Sequence, residues 1–248
     1  MPPGQDSVLR ITSCGDPALA RLLAHHPKAV LQAPLGDGPG LEFLQGPWAR
    51  RVGQGLCTGE ASGLAELADN NPWVCADSVT VPLATATLAL IALGPLVRAG
   101  MLVEAPTVMS SIPDAGEAAQ ALMAAGWPDG LDWIHQAFDD ASVAAATAMA
   151  VIATPGDADD LDALFDEAYG RSFYVRRDEV SEWDLDLVRD GPFAVYRLRY
   201  TADEPHALIT IQVLAARDGK LGAAQTVHAM NIMAGFEESL GLELASRT

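Results

Sequence analysis

The sequence predicts a mixed protein, α/β in its first part and α+β in its second. Three observations carry this. Helical and extended segments interleave from Val8 onward. The clearest alternating strands, Phe193 to Tyr200 and Leu208 to Val213, come late and close together. Half of the 248 residues are hydrophobic against 19% charged, enough apolar material for a packed core. The length suits one large domain or two small ones.

Val8 to Thr12 reads as a strand. Asp16-Pro17 opens a helix with proline in its first turn; Leu19, Leu22 and Leu23 give its apolar stripe, and Pro27 stops it. Ala29 to Leu31 reads as a second strand, so the chain begins like a βαβ unit. Gly36 to Gly63 is glycine-rich and yields no element. Leu64 to Leu67 reads as one helical turn, and Trp73 to Ala76 as a strand ending at Asp77-Ser78. Leu83, Ala86, Leu90, Leu93 and Val97 form one face of a long helix closed by Gly100. Further helices are predicted over Glu117 to Ala125 and Asp157 to Tyr169. Val143 to Ala153 reads as a buried strand and Phe173 to Arg176 as a short one. In the two late strands, Tyr196 and Leu198 oppose Arg197 and Arg199, while Ile209, Ile211 and Val213 oppose Thr210 and Gln212. Asp218-Gly219 marks a tight turn, and a last helix carries Val227, Met230 and Ala234 on one side.

Fifteen Lys and Arg against 33 Asp and Glu give a net charge of −18. Such a surface argues against a nucleic-acid partner, which needs a basic face, and against an anionic membrane. Cys14, Cys57 and Cys75 are too scattered for a disulfide framework or a CxxC site, and an odd thiol count suits a cytoplasmic protein. The five histidines show no metal-binding spacing, so no metal is expected. The start of the chain has no secretory pattern. The apolar run Val79 to Val97 is interrupted by threonines and prolines and reads as a buried helix rather than a membrane span.

Four segments carry a family resemblance. Lys220-Leu-Gly-Ala-Ala-Gln-Thr-Val-His-Ala-Met-Asn-Ile-Met233 looks like KGAAGQAVQNMNLM; Val81-Pro82 through Gly94-Pro95-Leu96 looks like VPGCYPTAA…LALxPL. Leu161 to Arg176 is similar to LxxxYxxxPFVRV, and the stretch Ser13 to Pro27 to a nucleotide-domain start, GASGYTGxELLRLLxxHP. These are motifs of N-acetyl-γ-glutamyl-phosphate reductase and its carrier-protein-linked lysine-pathway relatives, within the semialdehyde dehydrogenases. The resemblance implies a truncated Rossmann-like part (1–78), a dimerisation-type domain with a mixed or antiparallel sheet (79–219), and a C-terminal helical segment (220–248) packing back on the first part.

The departures from the family pattern are informative. The nucleophilic cysteine position falls on Ala84, and alanine cannot form the thioester the chemistry requires. Cys75 is expected to be a buried structural thiol rather than a displaced nucleophile. No histidine occurs between Pro27 and Ile134, where the family keeps its acid–base histidine. The phosphate-binding arginine motif becomes Asp139-Asp140-Ala141-Ser142-Val143. The cofactor loop is reduced to Thr12-Ser-Cys-Gly15-Asp-Pro-Ala, and the 78 residues before Val79 are fewer than two βαβαβ halves need. No nicotinamide cofactor is therefore expected.

Three functions stay open. One is a non-catalytic subunit paired with a homologous reductase-like chain. A second is non-redox chemistry, such as closing a strained nitrogen ring on an intermediate held by an acidic amino-group carrier protein. For this His135, Asp139, Asp140 and Asp114 are the candidate catalytic residues, with Ser111 beside them. A third is a small-ligand sensor. Against each candidate stands a structural role: Asp139-Asp140 as a solvated turn start, His135 as a satisfied histidine. Arg176 and Arg177 are expected to pair with nearby acids, the acidic runs Asp157 to Asp162 and Asp178 to Asp186 to be a helix N-terminus and a solvated loop, and Gln225 to satisfy backbone groups at a helix start.

Overall fold

A computed structural model describes residues 8–32, 40–55, 61–68, 70–138 and 140–242. Among them the chain forms a mixed α/β structure with six α-helices and two six-stranded sheets, both mixed. In chain order the elements begin with β1 (Leu9–Cys14), α1 (Pro17–His25), β2 (Ala29–Leu31), β3 (Leu41–Gln45), β4 (Trp48–Gln54) and β5 (Ala61–Ser62). They continue with α2 (Asn70–Cys75), β6 (Ser78–Val81), α3 (Ala84–Arg98), β7 (Thr107–Ser110), α4 (Ala118–Ala125), β8 (Asp132–His135) and β9 (Val143–Ala153). The rest are α5 (Ala158–Tyr169), β10 (Val175–Arg177), β11 (Ala194–Thr201), β12 (His206–Ala216) and α6 (Ala223–Ala234).

The first sheet runs β2-β1-β3-β4-β6-β5. The expected βαβ start is present, with β1 parallel to β2 and Asp16 capping α1 by accepting from the Ala18 N–H. The hairpin β3–β4 then joins antiparallel to β1, within the glycine-rich stretch that yielded no element. Residues 70–75 correct the expected strand at Trp73 to Ala76. Trp73 and Ala76 are buried while Val74 and Cys75 are exposed, a spacing of three that a helix satisfies and a strand does not. The strand is instead β6, immediately after.

The second sheet runs β10-β11-β12-β9-β7-β8, with β9 and β12 paired over eleven residues. The short strands β7 and β8 were not foreseen, and β10 begins two residues later than expected. Helices α3, α4 and α5 cover one face, closing a core that includes Leu93, Leu122, Phe165, Tyr196 and Ile211. A second core joins the first sheet to α1, α2 and α6 through Leu19, Phe43, Trp73, Val227 and Met230.

Helix α3 departs from its predicted single apolar face: every residue from Thr85 to Val97 is buried. The residues between its large apolar positions are Ala, Thr and Gly, small enough for neighbours to pack on all sides. Pro95 lies inside this helix and has no N–H to give the Ile91 carbonyl. The Tyr169 hydroxyl fills the gap, lying 3.0 Å from Ile91 O and 3.1 Å from Leu90 O. At Gly219 a β-carbon would collide with the Gly191 carbonyl oxygen, so the turn after β12 requires glycine for a close approach.

Tyr169→Phe is expected to cost about 1–3 kcal/mol, because a buried carbonyl beside Pro95 loses its donor while the packing volume is kept. Urea unfolding of the two proteins measures this.

Candidate functional site

Ala84 sits in the first turn of α3, half-buried. Around it the chain closes tightly: Gly116 lies against the Thr85 hydroxyl, and a β-carbon on Gly55 would stand 3.0 Å from Glu117 Oε1. Gln225, from α6, donates to Pro82 O at 2.9 Å and to Thr87 Oγ1 at 3.3 Å. Its amide thus holds the last helix to the chain entering α3, the backbone-satisfying role expected of it. The groups gathered here can position a main chain, but the methyl of Ala84 offers no nucleophile.

The expected acid–base residues are not brought into one hydrogen-bonded group. His135 ends β8 at the sheet edge and is exposed. Asp114 is exposed in the loop after β7, where its Oδ1 accepts from the Gly116 N–H at 2.8 Å. Asp139 lies outside the described residues. Asp140 Oδ1 accepts from the Ser142 and Val143 N–H groups and the Ser142 hydroxyl, and its other oxygen is 3.1 Å from Arg189. The Ser142 hydroxyl and backbone bonds, with Arg189, hold its carboxyl down to about 2. A carboxylate so engaged fixes the turn into β9 and is a poor proton acceptor at neutral pH. Ser111 is occupied as well, its hydroxyl accepting from the Ala145 N–H.

Cys75 is exposed at the end of α2, not buried as expected, whereas Cys14 is buried; Cys57 lies outside the described residues. Arg177 pairs with Asp162 at 2.8 Å and Glu179 at 3.0 Å. Arg176 instead stacks over Phe193 and Phe173, a cation–π arrangement rather than an acid pair. Asp157 caps α5 in a reciprocal capping box with Asp160. The segment from Asp178 to Asp186 is more than a solvated loop, because Trp183 and Leu185 pack against Val195 and Leu214. Among the described residues, no group of three or more His, Cys, Asp or Glu side chains could hold a metal ion, and no helix is long and apolar enough to cross a membrane.

The strongest concentration of buried charge was not foreseen. Lys220 Nζ lies 2.6 and 2.8 Å from the two oxygens of Glu66, with both side chains shielded from solvent. Lys220 also lies over the Tyr174 ring, against which the His228 imidazole stacks with centroids 4.0 Å apart and Phe173 packs edge-on at 5.2 Å. His228 Nε2 is 2.8 Å from Glu238 Oε2, and the Tyr174 hydroxyl donates to Glu238 O at 2.7 Å. Asn231 extends the network, donating to the Glu238 and Leu240 carbonyls and meeting His26 Nε2 at 3.0 Å. Burial pushes the Glu66 carboxyl upward, but the Lys220 and His228 charges outweigh it and leave it below the ordinary carboxylate range. Burial draws His228 down despite Glu238, and the bond to His228 lowers Glu238. Lys220, His228 and Asn231 all fall within the segment with the closest family resemblance; Glu66 has no comparable sequence signal.

A cleft of about 580 Å³ beside α1 and the turn after β12 is lined by none of Ala84, Asp114, His135 and Asp140. No protein-family model matches the chain, and no curated protein matches it significantly.

The network makes stability acid-sensitive. With His228 depressed in the fold, the unfolded chain takes up this proton first as pH falls. Its contribution is therefore intact above the ordinary histidine range and drains below about pH 6.5. Glu66 and Glu238, both depressed, contribute fully above the ordinary carboxylate range and lose that contribution at still lower pH. Melting temperature is expected to fall in two stages as pH drops below about 7; because burial lowers His26 as well as His228, His228→Gln shrinks the upper stage without removing it, and it shrinks the lower one through Glu238, which has lost its histidine partner.

Proposed function

We propose that this chain is a reductase-like protein without redox catalysis, acting as one subunit of a heteromer with a second reductase-like chain. The observation that carries the reading is the uncovered face of the second sheet. One face is closed by α3, α4 and α5. On the other, strand register aligns Ile134, Met109, Thr147, Gln212 and Arg197 in one row, Asp132, Thr107, Met149, Thr210 and Arg199 in the next, and Val151 with Leu208 in the one beyond. Ile134 is 49% and Leu208 48% exposed, and the Met, Val and Thr side chains between them are half-buried. The segment carrying Trp183 and Leu185 covers only the end near Val195 and Leu214. A sheet face of this kind, uncharged along its centre and flanked by exposed Asp132 and Arg199, suits a protein partner. Pairing two copies, each at −18, opposes their like charges, so a less acidic partner fits better.

The loss of redox chemistry rests on Ala84 at the nucleophile position and the shortened cofactor loop. The resemblance further places the heteromer in specialised amino-acid metabolism, with non-redox ring closure on an intermediate held by an acidic carrier protein. This chain's own charge opposes such a carrier, so the partner subunit would supply the basic contact. The alternative is a purely scaffolding or regulatory subunit, or a small-ligand sensor; the engagement of Asp140 by its own turn and Arg189 favours a role without chemistry in this chain.

Native mass spectrometry of the complex isolated from its host is expected to identify a second reductase-like chain. Met149→Arg should abolish that complex while circular dichroism and melting temperature stay unchanged. A wild-type chain that remains a monomer, or a complex indifferent to Met149→Arg, overturns the reading. Titration with NADPH is expected to show no saturable binding up to about 1 mM; a micromolar constant would mean that the cofactor site persists.

A further inference from the structure

We propose that residues 239–242, in the turns beyond α6, form an acid-released latch: a proton taken up by His26 detaches them and opens one wall of the 580 Å³ cleft. Gly241 and Leu242 line that cleft together with Ala18, Arg21 and Leu22 of α1. Adjacent contacts fasten the latch. Leu240 O accepts from Asn231 Nδ2 at 2.9 Å, and Gly241 packs so closely on the His26 ring that a β-carbon there would collide with it. Leu242 is buried in the first core. The latch amides bond within the turns, Leu240 N–H to Glu237 O and Leu242 N–H to Ser239 O.

His26 follows α1 and is 4% exposed. Both of its ring nitrogens have fixed roles. Asn231 spends its amide hydrogens on the Glu238 and Leu240 carbonyls, so its Oδ1 meets His26 Nε2 at 3.0 Å as an acceptor. Nε2 therefore carries the proton, and Nδ1 accepts from the Lys28 N–H at 3.2 Å. A second proton has to enter at Nδ1, where it would point at that N–H. Among the described residues no carboxylate is bonded to the ring to balance the charge. On the elements packed around it, His25 turns to Arg21 O, Arg21 pairs with Asp218, Glu237 accepts from the Ser239 hydroxyl, and Glu238 meets His228. Lys28, on the turn into β2, is itself cationic. Burial draws His26 below its ordinary value despite the bonds to Asn231 and Leu240 O. An imidazolium here needs water. Helices α1 and α6 are anchored in the first core, so the latch, held by the Asn231 bond and the burial of Leu242, is the cover that lifts. Opening stops at Glu238, which Tyr174 and His228 still hold. Closure is complete above the ordinary histidine range, near about pH 6.5, and weakens as pH falls below it. The latch belongs to the first core and does not depend on the heteromer.

The test is amide hydrogen exchange of the full chain at about pH 7.5 and about pH 5.5, read as protection factors. Protection of the Leu240 and Leu242 amides is expected to fall about tenfold, the most that one proton of ordinary histidine affinity supplies over this interval. It should stay at least about a hundredfold below that of β12 amides at both pH values, because the latch opens while the sheet stays folded. His26→Gln keeps a donor for Asn231 but cannot take the proton, and should abolish the fall; His228→Gln, at the root of the latch, should retain it. If circular dichroism shows His26→Gln unfolded, NMR titration of the wild-type ring replaces it, and the His26 ring and the Leu242 amide should shift with one midpoint below about pH 6.5. The proposal is overturned by pH-independent protection of the latch, by latch and β12 amides exchanging alike, by a fall that persists in folded His26→Gln or vanishes in folded His228→Gln, or by separate midpoints for the ring and Leu242.

Discussion

The buried ion pair between Glu66 and Lys220 is the constraint on which the two-core arrangement depends. It sits where the chain passes from one core to the other. Leu64 belongs to the core of the second sheet and Ala65 to that of the first; Leu221 and Ala223 divide in the same sense, and Tyr174 and Val175 in the reverse. Three crossings therefore meet at the Glu66–Lys220–Tyr174 cluster. Fully buried charges are expensive, and replacing such a pair with apolar side chains is often neutral or better for stability. Removing one partner is a different matter, because the other is left charged in a medium that cannot solvate it. The pair therefore acts chiefly as a register device: any slip of the Lys220 turn against the Leu64–Leu67 turn separates opposite charges inside the protein.

The C-terminal segment is tied to the same place. Glu238 offers its carboxylate to His228 and its carbonyl to Tyr174 and Asn231, while Asn231 also reaches Leu240 and His26. A single network thus joins α1, the entry to β10, α6 and the chain beyond it. Glu66, Lys220 and His228 are closed off from solvent while Glu238 is half exposed, and the 580 Å³ cleft is lined by none of them. Clustered, perturbed side chains are a common mark of an active site, but structural ion networks produce the same mark.

Much of the architecture was legible where the signal is local. Asp16-Pro17 announces α1, the acidic run from Asp157 announces α5, and period-two alternation announces β11 and β12. Other elements were hidden for identifiable reasons. Trp73 to Ala76 is an apolar run too short to distinguish periods of two and three from sequence; burial at Trp73 and Ala76 decides it. The β3–β4 hairpin turns at Gly46, which has positive φ, but surrounding glycines mask its alternation. Small residues throughout α3 conceal that it is packed on every side. The candidate site was the least legible part. Asp140 was a reasonable acid–base choice by type, yet its hydrogen bonds shape the turn into β9, and Ser111 beside the candidates is bonded to the Ala145 backbone of β9. Glu66 and Lys220 are 154 residues apart, a separation that no local pattern bridges.

Scarcity of positive charge links these observations. With 15 Lys and Arg against 33 acids, much of the cationic inventory is used for internal fastening. Arg50 gathers carbonyls from α2 and α6, Arg98 reaches Leu67 O, Arg189 steadies the Asp140 turn, and Arg197 holds the segment over the second sheet. Arg50 and Arg197 are thereby drawn into the interior and leave the outer field more negative, while Arg98 and Arg189 fasten at the surface. A surface of that sign accelerates encounter with basic partners and slows encounter with acidic ones, by an amount that falls as salt is added. Within this acidic molecule the centre of the open second-sheet rows carries Met, Val, Thr and Leu side chains, with Asp132 and Arg199 at the ends. In the proposed heteromer, partner selection would then be divided between two scales: long-range charge disfavours a second copy, and these central side chains supply close contact once a less acidic chain has approached.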